Sequence, residues 1–374
     1  MKHIIHYPSG SYALFTFIAL LPPLSAADLA YFRLGDVAGD SIIVRVNQAA
    51  AIQKARDVLA GRSGSVIMTG KIVPVSAFYN PGWSFHVDPL TVEFTELATE
   101  VCDASIGGVE RALNDLGGSF LPGFRWCPWT AKILAELPIP DEAAQHATHV
   151  SAADYSESAL APGSIAAAFG TGLLSETVVS ITLTDSTGGQ YMASLLNVAP
   201  GQVNYVLPGE LLPGPVTAAI KTSEGHQYVD SLYVQLFAPS LFSLTPPGVA
   251  AGWVTRVRPD GGTTVEPVFR FDSSTQSIVA VPIRPRPNDR PGLFKPARHR
   301  DSKPSRPGLD TDHLGRLRVS CTVRWPAILV FWRGPDQCGV AHVLAGSGMT
   351  AVSISSTLPG PRTLQSEPVE LVFR

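Results

Sequence analysis

Charge is scarce in this chain. Asp, Glu, Lys and Arg make up 16% of its 374 residues, and the net charge is −3 at pH 7. A nucleic-acid partner normally needs a strong basic surface, so nothing in this balance points to one. Several chemical signatures are missing as well. There is no Gly-x-Ser-x-Gly elbow, no phosphate-cradling glycine loop and no dinucleotide fingerprint. No complete zinc or calcium ligand spacing occurs, so no metal or cofactor is expected. Beyond the N-terminus no apolar run is long enough to span a bilayer. Glycine and proline, by contrast, are abundant. Together they number 65 of 374, from 33 Gly and 32 Pro, which is well above an average near 12%. Apolar residues reach 45%, enough for a sizeable core in each of two or three domains.

The N-terminus carries its own signal. Lys2 gives a weakly positive start, and Ala13 to Leu21 form a short apolar core. Pro22-Pro23 end any helix, because proline lacks the N–H and clashes with the preceding turn. Ser25-Ala26-Ala27 supply small residues for a peptidase. Residues 1–27 therefore read as a secretory signal peptide, with Ala26 or Ala27 the last residue removed. Export makes disulfides available to the four cysteines, Cys102, Cys127, Cys321 and Cys338. Four cysteines allow about three pairings. Cys102 with Cys127 is expected, since both fall in one domain.

Residues 28–140 mix helix and strand. Ser41-Ile42-Ile43-Val44-Arg45-Val46 is a β-branched strand. Asn47 follows as an expected N-cap, with Ala51, Ile52, Ala55, Val58 and Leu59 at helical spacing and Gly61 at the C-terminal cap. Strands are expected over 65–73 and 85–88. Ile106, Val109, Leu113 and Leu116 mark a second helix closed by Gly117-Gly118, and Pro128 opens a third running to about Leu137. This is an α+β domain.

Residues 141–150 read as a linker. Over 151–245 helical periodicity disappears, and short apolar runs recur between Gly and Pro. That spacing predicts an antiparallel β-sandwich. Residues 246–374 form a second β unit. Within it, Arg284 to Arg333 hold ten arginines and seven prolines with almost no periodicity. Such a tract reads as a linker or as an arm for polyanions.

Two stretches resemble known families. Tyr31-Phe32-Arg33-Leu34-Gly35-Asp36, Trp83-Ser84-Phe85-His86-Val87-Asp88-Pro89, Glu100-Val101-Cys102-Asp103-Ala104, Phe120-Leu121-Pro122-Gly123 and Trp126-Cys127-Pro128-Trp129 resemble the N-terminal domain of a slime-mould calmodulin-binding protein. Similar domains occur in secreted bacterial and fungal proteins. The resemblance brings no catalytic mechanism. Calmodulin binding is not carried over either, because the domain lacks a basic amphipathic helix and an exported protein would not meet calmodulin.

Leu160-Ala161-Pro162-Gly163-Ser164, Phe169-Gly170-Thr171-Gly172-Leu173, Val198-Ala199-Pro200-Gly201-Gln202-Val203-Asn204-Tyr205 and Ala238-Pro239-Ser240-Leu241-Phe242 resemble the Ig-like C-terminal region of exported acidobacterial proteins. This second resemblance implies an all-β Ig-like sandwich followed by another. The second sandwich looks disrupted, because the expected motifs fail over 284–343 and return by Leu344-Ala345-Gly346-Ser347-Gly348. The Arg and Pro enrichment there matches an out-of-frame reading of G+C-rich DNA. On that reading Cys321 and Cys338 are accidental.

The candidate ligand-binding residues are Trp83, His86, Asp88, Trp126 and Trp129. His86 and Asp88 alternate on one strand face, where such a pair can hold a metal or do acid/base work. Local hydrogen bonding is the plainer reading. The three tryptophans could form a platform for sugars or peptides, or pack as core around the disulfide. Glu93, Glu96, Glu100 and Asp103 would form a solvated acidic stripe on a helix. Asp185, Ser186 and His226 are scattered in turns and make no triad. The sequence therefore predicts an exported, non-catalytic binding or adhesion protein, secreted, periplasmic or at the cell surface. Its ligand would be an extracellular protein, peptide or glycan. The alternatives are a secreted hydrolase with its site near His86 and Asp88, and a structural envelope protein.

Overall fold

The structure is a computed structural model. It describes residues 29–282, apart from 159, 239, 243, 245–248 and 258–261, and strands over 290–296, 318–323, 338–340, 348–357, 363–365 and 369–373. The signal-peptide reading, most of the Arg/Pro-rich tract and the side chains of Cys321 and Cys338 lie outside the described residues.

The first half runs β1 (Ala30–Gly35), β2 (Ser41–Val46), α1 (Ala49–Leu59), β3 (Ile67–Val73), β4 (His86–Val87), β5 (Glu93–Thr95), α2 (Ile106–Arg111), β6 (Leu116–Gly117), β7 (Phe120–Pro122), β8 (Arg125–Trp126) and β9 (Lys132–Leu137). Strand β1 sits between β2 and β9, and β3 carries β4, β5 and β8 along its length. Gly70 permits that crowding, because a Cβ there would stand 2.5 Å from Val87 Cγ1. Ala51, Ile52 and Ala55 of α1 are buried in a core shared with Phe32, Val44, Ile72, Phe85 and Trp126.

Three local expectations are corrected. The N-cap of α1 is Gln48, one residue beyond Asn47, and its side chain makes no capping bond. The second helix stops at Arg111, and Leu113–Asp115 continue only as a 3-10 turn. The third helix is absent. Lys132–Leu137 form β9, antiparallel to β1, with alternating exposure. Lys, Leu, Ala and Glu favour helix locally, but the open edge of β1 offers a full set of backbone partners, and tertiary pairing overrides propensity. Gly61 does end α1, with a positive φ of 69° and its N–H bonded to Val58 O.

Cys102 and Cys127 form the expected disulfide, with Cα atoms 5.2 Å apart.

The second half comprises β10 (Thr148–Ser151), β11 (Ile165–Phe169), β12 (Val178–Thr184), β13 (Gln190–Met192), β14 (Ser194–Ala199), β15 (Gln202–Val206), β16 (Gly214–Thr222) and β17 (Gln227–Val234). They make two four-stranded antiparallel sheets, β10-β11-β15-β14 and β13-β12-β16-β17. Alternate residues of both sheets meet in one core, among them Ala168, Val203 and Tyr205 from the first and Ile181, Ala218 and Ile220 from the second. The expected linker over 141–150 holds a 3-10 turn, Asp141–Gln145, and most of β10. Its end is thus part of a sheet.

Further on, Gly252–Val257 pair with Thr263–Pro267 and Arg290–Pro296, and Gly348–Thr357 pair with Arg318–Val323. Strands therefore occur inside the Arg/Pro-rich tract, at Arg290–Pro296 and Arg318–Val323. No helix among the described residues is long and apolar enough to cross a membrane.

Candidate functional site

Strand β2 alternates, and its burial is asymmetric. Ile42 and Val44 enter the core, while Arg45 is buried on the opposite face at 8% exposure. A buried guanidinium needs partners, and they come from the second half. Arg45 Nη1 donates to Thr148 Oγ1 at 2.9 Å, and Nη2 forms an ion pair with Glu157. Burial opposes the Arg45 charge, but Glu157, the nearby tyrosines and Asp88 more than restore it, so its pKa is raised.

His86 lies on the other side of Glu157. Its Nε2 is 2.9 Å from Glu157 Oε2 and its Nδ1 is 2.8 Å from Val75 O. Both nitrogens face oxygens that accept, so the two bonds are complete only when the histidine–carboxylate pair supplies a proton to each. Burial alone would raise the Glu157 pKa, yet the Arg45 charge and the His86 bond hold it below the usual carboxylate range.

Asp88 is fully buried. Its Oδ2 accepts from Ser156 Oγ at 2.6 Å and Ser158 N at 3.1 Å, and its Oδ1 accepts from Leu90 N at 3.2 Å. Burial, helped by the Glu157 charge, raises its pKa. One segment, 154–158, thus supplies partners to both residues that the sequence singled out on β4 and just after it. That segment turns at Tyr155, a non-glycine residue with φ of 60°. Asp154 is anchored in turn by Ser240 Oγ at 2.5 Å, and burial raises its pKa to about 6.

Beside this network a cavity of about 300 Å³ opens between the halves. Arg45, Tyr79, His86 and Glu157 line it, along with His146, His149 and Asp230. His146 stacks on Phe78 with ring centroids 4.3 Å apart, and its Nδ1 is 2.7 Å from Asp230 Oδ1. Asp230 Oδ2 accepts from Ala147 N at 2.7 Å, which fixes the carboxylate against the histidine.

The tryptophans are divided. Trp126 is wholly inside the core, donates to Ala104 O and sets its edge against Phe85. Trp83 donates to Ser41 O and lines a second cavity with Phe124 and Tyr233. Trp129 is 40% exposed, and its backbone N–H is held by Asp103. Because Trp126 is buried, the three do not make one platform. Glu93, Glu96, Glu100 and Asp103 are exposed, as a solvated run should be, but they occupy a strand, a loop and a 3-10 turn rather than a helix. Asp185 caps its own turn through Thr187 and Gly189, and His226 bonds Glu176, so neither serves the other. Among the described residues no group of three or more His, Cys, Asp or Glu is placed to hold a metal.

Sequence reasoning missed Arg45, Tyr79, His149 and Glu157. Only Arg45 carried a local sign, as a charge in a β-branched strand. The others lie in polar or mixed stretches whose convergence is set by the packing of the halves.

Two four-stranded antiparallel sheets behind a mixed, disulfide-linked unit define a modular, β-rich protein. The first unit has a family match. Residues 28–140 match the family of N-terminal domains named after a calmodulin-binding protein, which supports the resemblance read from the motifs of that stretch. No curated protein matches the chain. Among solved structures, the tetra-tandem repeat in the extending region of a large adhesion protein is similar at 10% identity, over 94% of this chain and 92% of that one, with a TM-score of 0.19. A score that low carries no argument about fold or role.

Proposed function

We propose that this protein is an exported, non-catalytic binding module whose ligand site is the cavity between its two halves. The observation that carries the reading is a concave, part-polar site walled by both units, a usual place for a small-molecule site. An Ig-like sandwich serving as a stalk is the finer reading of the second half, and its paired four-stranded sheets support it. The export reading rests on residues 1–27 and is supported by the disulfide.

A hydrolytic pair at His86 and Asp88 is disfavoured. Both His86 nitrogens and both Asp88 oxygens are engaged within the protein, which leaves no lone pair for a substrate proton.

Two measurements test this reading. Thermal-shift screening of the full chain against extracellular small molecules, glycans and peptides, with ester and peptide hydrolysis followed in parallel, should find a ligand that stabilises and is recovered unchanged. Turnover that disappears in a His86→Ala variant would favour the hydrolase instead. N-terminal sequencing of protein from the medium or periplasm should begin at Ala27 or Asp28. An intact Met1 would sink the signal-peptide reading.

A further inference from the structure

Three buried polar atoms at the junction have no hydrogen-bond partner among the described residues: Arg45 Nε, the Tyr79 hydroxyl and His149 Nε2. Their residues are 8%, 6% and 5% exposed, and all three line the same cavity. Buried polar groups in folded proteins are nearly always paired, so three on one wall call for a shared partner.

All three are donors. A guanidinium has only N–H groups to offer. Burial holds the Tyr79 pKa far above its ordinary value, so its hydroxyl keeps its proton. Burial lowers the His149 pKa, so that ring is neutral with a single N–H. The His149 Nδ1 lies 2.8 Å from the Tyr205 hydroxyl, itself kept protonated by burial. With Tyr205 donating to Nδ1, the ring proton sits on Nε2. The other tautomer would deprive the Tyr205 proton of this acceptor.

A partner for three donors must accept and need not donate, which is the chemistry of a carboxylate. Glu157 and Asp230 on the same wall disfavour a dianion such as phosphate. Val73, Phe78, Pro81 and Leu232 supply apolar lining for the rest of the molecule. The geometry points to a site for a small monocarboxylic acid with an apolar or aromatic body, its carboxylate bonded by Arg45, Tyr79 and His149. This rests on the binding reading above and names the ligand class.

Calorimetric titration of the full chain with benzoate, inorganic phosphate and glucose tests it. Benzoate should bind one to one. Tyr79→Phe should weaken that binding at least about ten-fold, the loss of one buried hydrogen bond to a charged group. The unliganded variant should melt no lower than wild type, because an unpaired buried hydroxyl has been removed. Val229→Trp, at a half-exposed position on the cavity wall, should also block benzoate. Equal benzoate affinity in wild type and Tyr79→Phe would overturn the proposal. So would binding of glucose or phosphate without benzoate, lost in Val229→Trp, although the binding reading would then stand. If no probe and no member of the wider ligand panel binds, and a crystal structure shows only water at the three donors, both readings fail.

Discussion

Arg45 is the charge that the first half cannot neutralise by itself. Its ion-pair partner lies 112 positions away, and both side chains are about nine-tenths buried. Removing one member of such a pair strands the other in low dielectric, at a cost of about 3–5 kcal/mol. Arg45→Met and Glu157→Leu should therefore each lower stability strongly in urea unfolding. The double variant should lose much less than the sum, because neither charge is then left unpaired. Strictly additive losses would show that the pair is not coupled.

Asp154 and Glu157 respond to pH with opposite signs. The Asp154 pKa is raised in the folded protein to about 6, against about 3.9 unfolded. The folded state holds that proton more tightly. Its contribution is thus fully present below about pH 4 and lost as pH rises through about 6. The Glu157 pKa is depressed, so its contribution is present above the unfolded value and lost as pH falls through the folded one. Asp154→Asn should remove the decline between about pH 4 and 6 while leaving the acid limb in place. Thermal melts across that range check it, and an unchanged slope would show that Asp154 does not titrate there.

Among the elements, β9 and the disulfide are the informative ones. Residues 132–137 were legible as ordered but not as a strand, because their composition speaks for helix and only the edge of β1 decides otherwise. The start of α1 slipped by one residue for a related reason. Asn47 N–H is taken by Pro89 O, a partner 42 positions on, so the residue serves the sheet side of the junction instead of the helix. The Cys102–Cys127 bridge ties the 3-10 turn Glu100–Cys102 to the end of β8 across 25 positions. Replacing both cysteines by serine should cost about 3 kcal/mol, seen as a lower melting temperature that reducing agent does not lower further.

For the whole molecule, the domain boundary matters most. The family match ends at residue 140, yet the partners of Arg45, His86 and Asp88 lie at 148–158. A fragment ending at 140 keeps the hydrophobic core but leaves an arginine and an aspartate without partners. It should be markedly less stable than a fragment ending after β17, and amide exchange in β2 and β4 should be the faster in the shorter piece. Equal stability would mean that the junction is an adornment of two independent domains.

The sequence by itself determined the elements whose patterns are local: the β-branched strand β2, the glycine-ended helix α1, the short alternating strands after 151, and the change of character between the halves. Periodicity, capping and turn chemistry act within a few residues, so they can be read along the chain. Its choice of His86 and Asp88 as notable polar residues also found the right neighbourhood, since polar groups on a strand next to apolar ones must be satisfied. What satisfies them was decided only in three dimensions. Segment 154–158 reaches β4 and the residue after it across about 70 positions, and Tyr79 and His149 share a wall only because the two halves pack together. Long-range pairing of charge carries no spacing rule, which is why the cavity and its unpartnered donors were invisible until the fold brought them together.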